Sequence, residues 1–88
     1  MKVYQTDYKG RQITEVFMRE EKDGLEATRK ALLKDGVVKV VNEYETFYGV
    51  EFDGWLRKGL EDIDCTFEVT SYNHWEGYPW GYIITLNK

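Results

Sequence analysis

Strand-forming residues with a short turn between them open the chain. Residues 2 to 8 and 11 to 18 are rich in β-branched and aromatic side chains, and Lys9-Gly10 between them supplies the turn. This pattern predicts an N-terminal β-hairpin. A helix that starts at Thr14 is the competing interpretation of residues 14 to 22, but the strand-forming start and Gly24 favour the hairpin.

An amphipathic helix is predicted over residues 24 to 34. Asp23 can cap its first turn, Glu26 stands where a side chain reaches back to the free N–H of the cap, and Gly36 ends the helix. One side of this helix is formed by Leu25, Thr28, Ala31 and Leu32. We expect this side to pack on a sheet.

A second, shorter helix is predicted over residues 54 to 63. Asp53 stands at its capping position. Its apolar residues recur at the i, i+4 and i+7 spacing of one helical face and are Leu56, Leu60 and Ile63.

Three further strands complete the predicted fold. Residues 37 to 47 begin with β-branched side chains, residues 65 to 72 alternate apolar with polar ones, and residues 80 to 86 follow a loop at 73 to 79. The element order is therefore β-β-α-β-α-β-β, which predicts a small single-domain α+β fold over residues 1 to 88. In this fold a mostly antiparallel sheet carries one or two helices packed on one face.

The composition restricts the class of protein. With 88 residues, 42% of them hydrophobic and 16% aromatic, the chain is too apolar for a disordered segment and too short for a second core. The single Cys65 excludes an internal disulfide, and a chain without disulfides suits the reducing cytoplasm. No apolar run approaches the roughly 20 residues of a membrane helix. We expect a soluble cytoplasmic protein with no membrane contact.

The net charge of −4 is concentrated in the second half of the chain. Residues 1 to 36 carry eight basic and seven acidic side chains, whereas residues 37 to 88 carry four basic and nine acidic ones. An acidic tract consists of Glu43, Glu45, Glu51, Asp53, Glu61, Asp62, Asp64 and Glu68. This tract opposes direct nucleic-acid binding and favours a protein partner with a basic surface. A surface that is acidic only for solubility is the alternative interpretation.

Residues 72 to 82 hold five aromatic side chains together with the only histidine and the only proline of the chain. Alternation along the last strand directs Trp80 and Tyr82 toward the core. The side chains left near the tip of the predicted hairpin are Tyr72, His74, Trp75 and Tyr78. Aromatic side chains in such a place bind a small ligand, a peptide or a protein, or they form a hydrophobic cluster that pins the loop.

Signals for catalysis and for metal binding are weak. His74 is the only histidine available as a base for Ser71, and no Gly-x-Ser-x-Gly turn accompanies them. His74 and Cys65 are too few ligands for a transition-metal site, and no glycine-rich phosphate loop is present. We therefore expect no catalytic residue, no metal and no cofactor, and we keep a small enzyme that uses His74 as a third hypothesis.

The expected function is that of a non-catalytic interaction protein. On one strand Glu43 and Glu45 would point the same way about 6.6 Å apart, a spacing comparable to that of phosphates along a nucleic-acid strand. By analogy with accessory proteins of phages and mobile elements, among them anti-CRISPR proteins, this acidity predicts a nucleic-acid mimic that inhibits a nucleic-acid enzyme. The alternative is a ligand- or peptide-binding module built on the aromatic hairpin of residues 72 to 82. An exposed edge strand would also allow a homodimer.

Overall fold

A computed structural model describes residues 2–43, 49–73 and 77–87 of the chain. Within these residues it contains five strands and two helices in the predicted order β-β-α-β-α-β-β. The elements are β1 (Lys2–Tyr8), β2 (Arg11–Met18), α1 (Glu21–Asp35), β3 (Val37–Asn42), α2 (Gly49–Gly59), β4 (Cys65–Asn73) and β5 (Tyr78–Leu86). The predicted α+β fold class is confirmed.

The five described strands form one mixed sheet in the order β1-β2-β3-β5-β4. Three neighbouring pairs are antiparallel, whereas β2 and β3 are parallel. Parallel neighbours need a crossover connection, and α1 supplies it. Both helices pack on the same face of the sheet, α1 on β2 and β3 and α2 on β5.

The predicted N-terminal hairpin is confirmed. Lys9 and Gly10 have φ angles of 50° and 80°, which are the two positive values that a two-residue type I′ turn requires. Strand β2 continues to Met18, so a helix that starts at Thr14 is excluded. Residues 14 to 22 are therefore divided between the end of β2 and the start of α1.

The start of α1 differs from the prediction. The prediction of a helix that begins at Gly24 with Asp23 as its cap is wrong, because α1 begins at Glu21 and Asp23 lies in its first turn. The N-cap residue is Glu20, which makes no side-chain capping hydrogen bond. Gly24 lies inside the helix, where its missing side chain allows α1 to approach Met18 of β2.

The end of α1 is as predicted. Gly36 adopts the left-handed conformation with φ 78°, which glycine reaches without steric cost. Its N–H donates to the carbonyl oxygen of Leu32 at 2.8 Å. The chain then turns directly into β3.

The boundaries of β3 and α2 differ from the predicted ones. The predicted strand over residues 37 to 47 ends at Asn42, and residues 44–48 lie outside the described part. Helix α2 ends at Gly59 instead of Ile63, and Asp53 lies inside it instead of at its cap. Leu56 and Leu60 are buried as predicted.

The earlier position of α2 has a packing reason. It buries Phe52 completely, and the Phe52 ring stacks on the Tyr82 ring with centroids 6.1 Å apart. Ile63 follows the helix in a tight turn, in which its N–H donates to the carbonyl oxygen of Leu60 at 2.9 Å. The start of α2 at Gly49 thus includes Phe52 in the helix and in the core.

The core has a main part and a smaller part. The main part lies between the sheet and the helices and includes Val16, Met18, Leu32, Phe52, Leu56, Tyr82 and Ile84. The smaller part lies on the helix-free face, where Ile13 and Ile83 are only 1% and 3% exposed beside Val37. The helix-free face therefore has a small apolar core of its own.

Candidate functional site

Six acidic side chains of the predicted tract lie on α2, on the turn that follows it and on β4. They are Glu51, Asp53, Glu61, Asp62, Asp64 and Glu68, and we call them the acidic surface. Residues 49–73 hold two basic side chains against these six, a formal charge of −4, and β5 carries no charged residue. Because β4 and β5 are neighbours at one edge of the sheet and α2 packs on β5, these six acids lie toward one edge of the molecule. Those of α2 lie on the helix-bearing face, whereas Glu68, which pairs with Ile83, lies on the helix-free face.

Asp53 is the least exposed of these six acids, and its carboxylate is occupied within the protein. Its Oδ1 accepts hydrogen bonds from Arg57 Nε at 3.0 Å and from the Tyr82 hydroxyl. The Arg57 guanidinium also lies 4.5 Å from the centre of the Phe67 ring, a cation–π arrangement. Burial and the hydrogen bond to Asp53 raise the pKa of Tyr82 to about 12, so the hydroxyl stays protonated and donates. Asp53 therefore ties α2 to the sheet.

Asp62 is held by Arg29 of α1 in a two-point ion pair. Arg29 Nη1 and Nη2 donate to the two carboxylate oxygens at 2.7 and 2.9 Å. These hydrogen bonds and the positive charge lower the pKa of Asp62. Arg29 Nη1 also donates to the carbonyl oxygen of Gly59 at 2.9 Å. The pair links α1 to the turn after α2 and neutralises one charge of the acidic surface.

Three other acids of this surface present their charge to solvent. They are Glu61, Asp64 and Glu68, and all three are exposed. Asp64 accepts a hydrogen bond from Asn87 Nδ2 at 3.1 Å, a neutral donor that leaves the carboxylate charged. These side chains are the ones through which the acidic surface can attract a basic partner.

Glu43 lies apart from the acidic surface, beside β2. It follows the end of β3, its N–H donates to the carbonyl oxygen of Met18 at 3.0 Å, and its carboxylate lies 3.7 Å from Arg19 Nε. Glu45 lies outside the described residues. The expected display of both glutamates on one strand fails at Glu43, because β3 ends at Asn42.

Two tyrosines of the predicted aromatic site are exposed at the end of the β4–β5 hairpin. Tyr72 and Tyr78 are 49% and 39% exposed. Tyr72 pairs with Pro79 after an irregular stretch of register that begins at Val69. Its hydroxyl donates to the carbonyl oxygen of Gly77 at 2.8 Å, which fixes the ring against the hairpin end.

The remaining aromatic residues of this segment divide into core and undescribed positions. His74 and Trp75 lie outside the described residues. Tyr82 is 1% exposed, which confirms its predicted place in the core, and Trp80 is half-buried. Of the four predicted recognition residues, the structure therefore places two.

Sequence reasoning missed the network of Asp53, Arg57 and Tyr82. An acid and a base four residues apart on a helix are a recognisable pair. The predicted helix began after Asp53, so the two residues were not expected on one helical face. The contact with Tyr82 depends on the packing of α2 on β5, for which no local signal exists.

Neither a metal site nor a membrane span emerges from the described residues. Within residues 2–43, 49–73 and 77–87, no group of three or more His, Cys, Asp or Glu side chains could hold a metal ion. Burial raises the pKa of the half-buried Cys65 thiol, which favours its unreactive neutral form. Neither α1 nor α2 has the length and apolarity that a membrane-spanning helix needs.

The fold and the charge distribution define a small α+β protein with one acidic side. Comparison with models of protein families, with curated proteins and with solved structures finds no match in any of the three. Function must therefore be inferred from the site itself.

Proposed function

We propose that this chain is a non-catalytic interaction protein whose acidic surface binds a basic surface of a protein partner. The observation that carries the proposal is the sheet order, which gathers α2, β4 and β5 on one side with a formal charge of −4 over residues 49–73. Residues 2–36, which form β1, β2 and α1 toward the opposite edge of the sheet, hold eight basic and seven acidic side chains. Charge separated in this way orients a protein toward a basic partner during encounter.

The ion pairs refine which carboxylates take part. Asp53 and Asp62 are bonded to Arg57 and Arg29, so their charges are largely spent within the protein. The proposed contact residues are therefore Glu61, Asp64 and Glu68. Glu43 and Glu45 are left out of this surface.

The partner that we propose is an enzyme whose basic channel holds nucleic acid. Such a channel matches the acidic surface in charge. An inhibitor that occupies it acts as a nucleic-acid mimic, by analogy with some anti-CRISPR proteins of phages. The cytoplasm is the proposed location, because the single cysteine of the chain is free and a chain without a disulfide suits a reducing compartment. No enzymatic activity is assigned to the chain.

The test compares two double variants that change the net charge equally. Glu61→Lys with Glu68→Lys reverses two exposed carboxylates of the acidic surface, neither of which has an ion-pair partner among the described residues. Asp7→Lys with Glu20→Lys makes the same change on the β1 and α1 side, where both residues are exposed. Each protein is used to capture partners from its source cells, and the dissociation constant of the recovered partner is measured against salt.

The expected result separates the two variants. The acidic-surface variant should bind its partner at least about tenfold more weakly, and the control should bind as the wild type does. Wild-type binding should weaken as salt rises, and a single-stranded oligonucleotide should compete with it. Equal binding by both variants, or binding that salt does not change, would reject the acidic surface. If the oligonucleotide does not compete for the partner, nucleic-acid mimicry is rejected, but binding through the acidic surface is not.

A binding module on the aromatic hairpin is the second candidate function. The exposure of Tyr72 and Tyr78 at one hairpin end is the observation that favours it. Tyr72→Ala with Tyr78→Ala should abolish binding in a panel of glycans and peptides, whereas Tyr4→Ala, which removes a tyrosine that is 52% exposed on β1, should not. No ligand in the panel, or equal loss in both variants, would count against this candidate.

A further inference from the structure

Strand β1 is an edge strand of the kind that accepts another strand. It stands at the end of the sheet order, and all seven of its residues pair in regular register with β2, from Lys2 with Phe17 to Tyr8 with Arg11. The opposite edge, β4, is different because its register shifts between Val69 and Tyr72. Irregularities of this type protect an edge from pairing, and β1 has none.

The hairpin turn determines which backbone groups of β1 are available. In a two-residue hairpin the flanking residues, here Tyr8 and Arg11, form a hydrogen-bonded pair. Every second residue of β1 counted back from Tyr8 therefore bonds to β2. The N–H and carbonyl groups of Val3, Gln5 and Asp7 point outward. This set is symmetric about Gln5.

A groove lies beside β1 on the helix-bearing face of the sheet, with a volume of about 450 Å³. Its lining includes Val3 of β1, and its charged residues all belong to α1. They are Asp23 and Glu26 near the start of the helix and Lys30, Lys34 and Asp35 near its end. Because α1 crosses between the parallel strands β2 and β3, it runs antiparallel to β2 and in the same direction as β1. The groove wall therefore carries a net charge of −2 toward the start of β1, from Asp23 and Glu26, and of +1 toward its end, from Lys30, Lys34 and Asp35.

We propose that β1 pairs antiparallel with β1 of a second copy of this chain, about a two-fold axis that passes through Gln5. The two sheets then form one continuous sheet across the dimer. Gln5 faces Gln5 of the second copy, Val3 faces Asp7, and Tyr4 faces Thr6, so all seven residues of the strand are paired and no like charges stand opposite each other.

The second copy is the occupant that fits both the backbone and the charges. An antiparallel copy brings its own outward groups at positions 3, 5 and 7 to those of the first. The two-fold axis also sets the acidic end of one groove wall opposite the basic end of the other. The charges of the two copies are therefore complementary along the groove. It further covers Val3 and Tyr4, which are 48% and 52% exposed. The inference is independent of the proposed function, because the acidic surface lies toward the opposite sheet edge.

Cysteine cross-linking tests the register. In a Cys65→Ala background, Gln5→Cys should form a disulfide-linked dimer under mild oxidation, because facing Cα atoms of a hydrogen-bonded pair lie about 5.5 Å apart. Val3→Cys is the matched control, since two copies of residue 3 would be separated by four residues, about 14 Å. It should not link to itself, but it should link to Asp7→Cys when the two proteins are mixed. Equal self-linking of Gln5→Cys and Val3→Cys, or no linking of Gln5→Cys, would overturn the proposal.

Sedimentation velocity over a concentration series tests the association itself. The interface is small, so we expect a dissociation constant on the order of 10 to 100 μM for the wild type and for Gln5→Ala. Gln5→Pro removes an outward N–H without removing a bond to β2, and it should be monomeric with an unchanged circular dichroism spectrum. A wild-type protein that stays monomeric to about 1 mM, or a dimer that persists in folded Gln5→Pro, would overturn the proposal.

Discussion

Gly24 brings α1 so close to the sheet that alanine at this position should destabilise the protein. A Cβ built on Gly24 would lie 2.3 Å from Cγ and 3.2 Å from Cβ of Met18. Met18 is completely buried, so its side chain has no solvent side to move toward. One added methyl group therefore requires the helix or Met18 to shift.

Two terms of opposite sign set the magnitude. Alanine is favoured over glycine in a helix interior by about 1 kcal/mol. Against this, carbon atoms in contact normally lie about 3.5 Å or more apart, so Met18 Cγ would have to move by more than about 1 Å. Overpacking costs about 1 to 3 kcal/mol, and the upper end applies here because Cγ lies near the backbone. We expect Gly24→Ala to lower the free energy of unfolding by about 2 kcal/mol.

Gly54 supplies the matched control. It lies in α2, it is exposed, and no described atom would lie within 4 Å of a Cβ built on it. Gly54→Ala therefore adds the higher helix propensity of alanine without a steric clash, and it should raise the free energy of unfolding by about 1 kcal/mol.

Thermal melting followed by circular dichroism distinguishes the two outcomes. For a chain of this size about 1 kcal/mol corresponds to about 4 to 8 °C in Tm, so Gly24→Ala should melt about 8 to 16 °C lower and Gly54→Ala a few degrees higher. The loss caused by Gly24→Ala should shrink in a Met18→Ala background, because the clashing atoms are gone. A Gly24→Ala protein as stable as the wild type or more stable would refute this reasoning.

Three further predictions concern the core and the two ion-pair networks. Leu32→Ala should cost about 2 to 5 kcal/mol, because Leu32 is fully buried; an unchanged urea midpoint would contradict this. Since burial and Asp53 raise the pKa of Tyr82 to about 12, the unfolded state releases this proton first, and the wild type should lose up to about 3 kcal/mol between about pH 10 and 12. Tyr82→Phe should lose less over that range, and equal pH slopes would argue against the raised pKa. Arg29→Ala should raise the pKa of Asp62 toward its ordinary value of 3.8, as measured by a carbon NMR titration. In the wild type the Arg29–Asp62 pair stabilises the folded protein at pH values above 3.8, and this contribution disappears as the pH falls through the lowered pKa. An unshifted titration would show that Arg29 does not hold this carboxylate.

Several features could be predicted because their cause is local. Strand-forming residues and the Lys9-Gly10 turn identified the N-terminal hairpin, and alternation along β5 placed Tyr82 in the core. Gly36 ended α1 because only glycine enters the left-handed conformation at low cost. The helix starts that failed lie at residues with the chemistry of caps. Asp53 lies inside α2, whose earlier start buries Phe52, whereas α1 begins at Glu21 although its first three residues are exposed.

The candidate site was only partly accessible to sequence reasoning. The excess of acids in the second half of the chain was visible, but which of them remain charged toward solvent was not. Asp62 is bonded to Arg29, 33 residues away, and Asp53 to Tyr82, 29 residues away. Such partners meet only because α1 and α2 pack on the same face of the sheet.

The sequence by itself determined the kinds of elements, their order and the uneven distribution of charge, because periodicity, turn residues and composition act through neighbours along the chain. Only the tertiary structure decided that β2 and β3 are parallel, that β1 and β4 are the sheet edges and that two of the acids are neutralised by arginines. Strand order and ion pairing depend on which surfaces are buried together, and that choice is made by the whole chain at once.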